Sequence, residues 1–223
     1  MIKKDSKKLW LEVDKKVKNK KFLLGKYASQ LYQEDPIAIS FKTSRYKFCS
    51  KMLFTKNNIL EIGCGDAFGS AIVAQFSKKL TCTDINKTML NDNKKRLRNK
   101  KNINFLYHDF RQSSLMNNFD GCLMIDVIEH IYPKEENIFL KNVCKSLSKN
   151  SICIFGTPNK SAEKYASKYS KLAHVNVKNF KSLSKLGEKF FNNHIIFGMN
   201  DEVVHTGYPN MSHFLWLIGI DPK

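Results

Sequence analysis

Arginine is scarce in this sequence. The chain carries 38 lysines and arginines against 20 acidic residues, a formal net charge of +18. Only Arg45, Arg96, Arg98 and Arg111 supply guanidinium groups. Dedicated phosphate-reading surfaces favour arginine, whose planar fork makes two parallel hydrogen bonds. The lysine excess accompanies abundant asparagine and isoleucine, all three with A/T-rich codons, so composition accounts for it at least as well as a polyanionic partner. The reading is therefore a small-molecule substrate and no specific nucleic acid. No apolar run approaches the roughly 20 residues of a membrane span. Residues Met1–Lys8 have no apolar stretch behind them, unlike a signal peptide, and the expected location is cytoplasmic. There is no CxxC pair. Cys49, Cys64, Cys82, Cys122, Cys144 and Cys153 read as buried thiols of a reducing compartment, neither a zinc site nor a disulfide framework. Internal repeats and low-complexity linkers are absent too.

What is present suits a globular fold. A chain of 223 residues, 42% hydrophobic, can bury a core without disulfides or structural metal. Residues 5–33 read as one or two amphipathic helices broken near Gly25, and Pro36 ends that region. A further helix is expected over 43–54. From residue 58 short apolar runs alternate with helical segments. The runs are Ile59–Gly63, Leu80–Thr83, Ile103–Tyr107, Gly121–Ile125 and Ile152–Gly156, with helices at about 69–78, 87–99, 111–116 and 134–148. A helix near 178–189 and strands near 194–199 and 213–219 follow. The last two strands lack a helical crossover, which would make one of them antiparallel. The pattern predicts a doubly wound, mostly parallel, seven-stranded α/β sheet of the Rossmann-like type. Residues 1–43 would form an N-terminal helical lid or extension, and 44–223 the main domain, as monomer or homodimer.

The strongest local signal is Glu61-Ile62-Gly63-Cys64-Gly65-Asp66-Ala67-Phe68-Gly69 at the end of the first strand. Gly63 and Gly65 permit a tight turn and close approach of a ligand to the backbone. The dinucleotide fingerprint places its third glycine three residues after the second; here the gap is four, and Glu61 precedes the first glycine. Both features argue against a nicotinamide cofactor and a phosphate grip. Asp66, Asp84, Asp109 and Asp126 all fall at carboxyl ends of predicted strands, where open parallel sheets bind ligands.

These residues resemble the class I S-adenosylmethionine (SAM)-dependent methyltransferases over about residues 44–160. The resemblance implies SAM as cofactor and S-adenosylhomocysteine as product. It implies that Asp84 holds the ribose hydroxyls and that Asp109 accepts from the adenine amino group, though each aspartate also reads as a helix cap. Arg45, Glu61, Gly63, Gly65, Ile85, Phe110 and Asp126 complete the implied cofactor set. The stretch Asp126-Val-Ile-Glu129-His130 is similar to the ExxEH segment of the ubiquinone-biosynthesis O-methyltransferases and of enzymes that methylate the terminal ribose 2′-hydroxyl of small RNAs. There the Glu and His hold a divalent metal beside the acceptor oxygen. Asp126 replaces the first Glu of that pattern. His174 resembles a later metal-binding His, so Glu129, His130 and His174 form a candidate metal set. Without metal, His130 and Glu129 read as catalytic groups that deprotonate or orient the acceptor. The run Asn200-Asp-Glu-Val-Val-His205-Thr-Gly-Tyr208 reads either as a substrate-facing loop, with Asn200, His205 and Tyr208 toward the acceptor, or as a solvated connection. The implied activity is methyl transfer to an oxygen, or a nitrogen, of a small polar molecule. An RNA methyltransferase of the ribose type and a non-catalytic SAM-binding regulator are the alternatives.

Overall fold

A computed structural model describes residues 5–18, 21–116 and 118–223. The reading of Met1–Lys4, and the part of the first helical prediction at 19–20, lie outside the described residues. Three helices lead: α1 (Ser6–Lys16), α2 (Lys26–Glu34) and α3 (Pro36–Met52). Pro36 does more than end a helix. It sits in the first turn of α3, where its missing N–H costs nothing. The expected boundary at residue 43 therefore falls inside α3, which runs unbroken from the extension into the body of the fold.

Strands and helices then alternate: β1 (Asn58–Ile62), α4 (Ser70–Ala74), β2 (Lys79–Asp84), α5 (Lys87–Arg96), β3 (Ile103–Tyr107), β4 (Phe119–Ile125), α6 (Pro133–Ser146) and β5 (Leu147–Pro158). They are followed by α7 (Lys168–Ala173), α8 (Phe180–Phe190), β6 (Phe191–Asn200), β7 (Val203–His205) and β8 (Phe214–Pro222). The sheet order is β3-β2-β1-β4-β5-β8-β6-β7. The first five strands are mutually parallel, while β5–β8, β8–β6 and β6–β7 pair antiparallel.

Two expectations are corrected. The sheet has eight strands and is mixed, where seven mostly parallel strands were expected. The additional strand, β7, is three residues long and folds back on β6 through a turn at Asp201, whose φ is 50°. So short a strand leaves no periodic signature. The helix expected at 111–116 is absent. A single turn is costly to nucleate, and Asp109 captures the Arg111 backbone N–H and side chain instead. The antiparallel last strand is as expected.

Alternation along the central strands fills two cores. Leu60, Ile62, Met124, Phe155 and Leu217 face α6 and α8. Ile59, Leu123, Ile154, Trp216 and Ile218 face α3, α4 and α5. All six cysteines are free and buried. Among the described residues no helix is long and apolar enough to cross a membrane. The chain winds from β1 toward β3 on one side, then restarts with β4 on the other. This reversal opens a crevice above β1 and β4, the place where such sheets bind ligands.

Candidate active site

A cavity of about 620 Å³ occupies that crevice. Its floor is the loop after β1. Gly63 and Gly65 adopt left-handed φ values of 67° and 53°. A Cβ on Gly63 would stand 2.5 Å from Val127, whereas Gly65 faces open space into which a ligand can come close. Glu61 does not line the cavity. Its side chain is buried behind the loop, where the Cys82 thiol donates to it at 3.2 Å. Burial pushes its pKa up to about 7, against hydrogen bonds from its neighbours. The acidic residue of the motif thus braces the loop.

Asp84 ends β2 at the cavity wall. Its two oxygens accept from the backbone N–H groups of Gly65 at 2.9 Å and Asn86 at 2.8 Å. Asn86 is the N-cap of α5, accepting from the Met89 N–H. The helix-cap reading of Asp84 is thereby answered, since another residue does that work. The carboxylate keeps further lone pairs for a ligand. Ile85, half exposed on the same wall, and Met89 add apolar surface.

Asp109 follows β3. Hydrogen bonds from Arg111 hold its carboxyl below its ordinary value, and no helix begins there for it to cap. His108, Phe110 and Arg111 line the same end of the cavity, Phe110 packed edge-on to His108.

At the other end Asp126 holds a left-handed φ of 55° after β4 and pairs with Arg45 at 3.1 Å. The Arg45 guanidinium also lies 3.8 Å from the Phe214 ring centroid. Tyr27, Lys42 and Tyr46, from α2 and α3, close the wall. Tyr27 and Lys42 carried no local motif. They reach the cavity because α2 and α3 fold over it, which spacing in the sequence does not reveal.

Beyond Asp126 a 3-10 turn, Ile128–His130, presents the last group. Glu129 is fully buried; the Thr157 hydroxyl donates to Oε2 at 3.0 Å while Oε1 is without a partner. Burial, then the charge of Asp126, pushes its pKa up to about 8. The Glu129 carbonyl accepts from the N–H groups of Val175 and Asn176, which ties the turn to the segment after α7. His130 donates through Nδ1 to the Ala173 carbonyl at 3.0 Å, leaving Nε2 as a lone-pair acceptor. His174 stacks edge-on at 5.1 Å between ring centroids, and burial with the neighbouring His130 lowers its pKa. Ligating atoms of Glu129, His130 and His174 all lie within 4.8 Å of one another.

Asn200, His205 and Tyr208 do not line this cavity. Asn200 accepts from the His213 N–H and donates to the Met211 carbonyl, and His205 accepts from the Gly207 N–H. Their contacts are those of a folded connection.

Residues 60–155 match the family model described as a methyltransferase domain. From β1 to β5 the chain is thus similar to SAM-dependent methyltransferases. A search of curated protein sequences finds no match. Among solved structures, the methyltransferase domain of bacterial CtHen1-C superposes with a TM-score of 0.68 at 16% identity, covering 82% of this chain and 100% of that one. The N-methyltransferase NodS from Bradyrhizobium japonicum WM9, in complex with S-adenosylhomocysteine, gives 0.63 at 16% identity, covering 82% and 88%. The CurJ carbon methyltransferase gives 0.66 at 14% identity, covering 88% of this chain and 58% of that one. At such identities the likeness is one of fold. Because that fold serves both an N- and a C-methyltransferase, it leaves the methylated atom of this methyltransferase domain open.

Proposed function

We propose that this chain transfers the methyl group of SAM to an oxygen of a small polar acceptor placed beside Glu129, His130 and His174. One observation carries the reading. The three side chains lie together, with ligating atoms within 4.8 Å of one another, and of them His130 lines the cavity past Asp126, while Asp84 and Asp109 line its other end and Glu129 and His174 stand behind His130. SAM supplies an activated methyl group to a nucleophile aligned with it. The protein's part is to hold the acceptor and its proton. Asp84 would bind a ribose diol and Asp109 an adenine amino group. Arg45, held by Asp126 and Phe214 and lining the cavity, would neutralise the carboxylate of the cofactor.

The triad has two ways to act on an acceptor hydroxyl. His130 Nε2 is a free acceptor at the cavity and can take its proton. The same set also fits a divalent metal. Glu129 Oε1 is a buried oxygen without a partner, and two neutral imidazoles suit zinc or manganese. A metal held by Glu129, His130 and His174 would lower the pKa of the acceptor oxygen. Asp126, engaged by Arg45, is the weaker candidate for a fourth ligand.

A nucleic-acid acceptor has in its favour the net charge of +18, the likeness of the Asp126–His130 stretch to small-RNA ribose methyltransferases, and the exposed Tyr165 and Tyr169, interleaved with Lys160, Lys164, Lys168 and Lys171. The deciding experiment is calorimetric titration with SAM followed by methyl incorporation into small hydroxylated acceptors and into RNA, with and without chelator. SAM binding with oxygen methylation of a small acceptor is expected. Incorporation only into RNA at physiological salt, or only into nitrogen, overturns the reading. In His130→Ala, Glu129→Ala and His174→Ala, turnover should fall while SAM affinity holds.

A further inference from the structure

Helix α5 grips the glycine loop with two polar side chains that stay out of the cavity. Asn93 is fully buried, and the Arg96 side chain is 8% exposed. Neither lines the cavity. Asn93 donates through Nδ2 to the Gly65 carbonyl at 2.7 Å. Arg96 donates through Nη2 to the Asp66 carbonyl and to Asn93 Oδ1, and its Nε pairs with Asp92 at 2.6 Å. A guanidinium can only donate, so Arg96 fixes which end of the Asn93 amide faces the loop. Two consecutive carbonyls of the loop are thereby drawn toward α5. An apolar side chain could fill the same space, but it would leave those buried carbonyls without partners.

The consequence lies on the other edge of the same peptide. A trans peptide unit is planar, so its carbonyl and its N–H point in opposite directions. With the Gly65 carbonyl held toward α5, the Asp66 N–H is turned the other way, to the side on which Gly65 and Asp66 line the cavity. The flanking N–H groups are already engaged, Gly65 with Asp84 and Ala67 with the Cys64 carbonyl. The Asp66 N–H has no acceptor among the described residues. Its residue is joined to Ala28 of α2, next to Tyr27, and Tyr27 and Arg45 line the cavity from α2 and α3. We propose that Asn93 and Arg96 are positioning residues, which aim the Asp66 N–H at the carboxylate of the cofactor, beside Arg45. A backbone donor held in this way loses no freedom when the ligand arrives. The proposal rests on the reading that SAM occupies the cavity, and it is independent of which acceptor is methylated.

The test uses the full chain, SAM, and the variants Asn93→Asp and Arg96→Lys. Asn93→Asp keeps the size of the side chain and its contact with Arg96 but sets an oxygen against the Gly65 carbonyl. Arg96→Lys keeps the charge and can reach one partner where arginine reaches several. SAM affinity is measured by calorimetry well below the melting temperature of each variant, and backbone amide exchange is followed at Asp66 with and without SAM. In the wild type, SAM should slow exchange at Asp66. In Asn93→Asp, affinity should fall at least about tenfold, and the protection of Asp66 should be lost even with SAM in excess. Arg96→Lys should lie between the two in both measurements. A wild-type Asp66 amide that SAM leaves unprotected overturns the proposal. So do variants that melt earlier but keep the affinity and the protection, since these would show a brace for the fold alone. A wild type that does not bind SAM overturns the cofactor reading along with it, whereas unaltered binding in the variants overturns only the role of Asn93 and Arg96.

Discussion

The Asp66 carboxylate, in the glycine loop, accepts the backbone N–H of Ala28 at 2.7 Å and so ties the first turn of α2 to the floor of the cavity. Its other oxygen accepts from Phe68 within the loop. Gly25 precedes the helix because there is no room for more: a Cβ there would lie 2.3 Å from that of Asp66. With Tyr27 on the cavity wall, the contact acts as a latch between the glycine loop and the helix covering it.

Releasing the latch should loosen α2 selectively. In Asp66→Ala the loss of a capping carboxylate is expected to cost about 1 kcal/mol, a melting shift of about 2–4 °C. Proteolysis between residues 18 and 26 should accelerate, and bound SAM should dissociate faster. Unchanged cleavage and release would show that the contact does not govern access.

Removal of the Asp84 carboxylate should be felt mainly in cofactor affinity. Hydrogen bonds to charged groups contribute about 1.5–3 kcal/mol each. Asp84→Ala should therefore weaken SAM binding by at least about tenfold in calorimetry, and the freed Gly65 N–H should add loop disorder. Affinity within twofold of wild type would remove Asp84 from the cofactor site.

Glu61 gives stability a pH dependence of definite sign. Its folded pKa is about 7 against an ordinary 4.5, so between those values the native protein holds a proton that the unfolded chain releases. Stability should be greatest below about 4.5 as far as this group is concerned, fall as pH rises to about 7, and then level off. The whole span is worth about 3 kcal/mol at most, from the 2.5-unit difference. Glu61→Gln should flatten that part of the profile in denaturant titrations from pH 5 to 8. An unaltered slope would place the titrating group elsewhere.

Gly69 and Tyr46 should be energetically coupled. A Cβ on Gly69 would lie 2.0 Å from the Tyr46 ring, which fills the space a side chain would need. Gly69→Ala is expected to cost about 1–3 kcal/mol through overpacking. Combined with Tyr46→Ala, the cost should be smaller than the sum of the two single changes. Strict additivity would count against the contact.

The parallel half of the fold was legible because its strands are unbroken apolar runs ending in glycine or aspartate, and the glycine loop and Asp84 stood out for that reason. The triad was legible as well, since Glu129 and His130 are adjacent and His174 is one of only six histidines. Less local features were hidden. Strand β7 is defined by its pairing with β6 and not by its own three residues. The helix read at 111–116 lost to side-chain capture by Asp109, a competition that periodicity does not register. Glu61 sits beside the cavity-lining glycines in the chain, but strand alternation turns it to the opposite side. Tyr27 and Lys42 became cavity residues only through the packing of α2 and α3.

The position of β8 bears on how the molecule is made. It is the last strand in chain order, yet it lies between β5 and β6 and carries Trp216 into the core. As the polypeptide emerges during synthesis, the parallel half can assemble early, while β5 and β6 each present an unpaired edge until residues 214–222 slide between them. Exposed edges recruit strands from other chains. Until residues 214–222 are in place the molecule therefore displays two adhesive borders at once, and the seating of that one segment closes both.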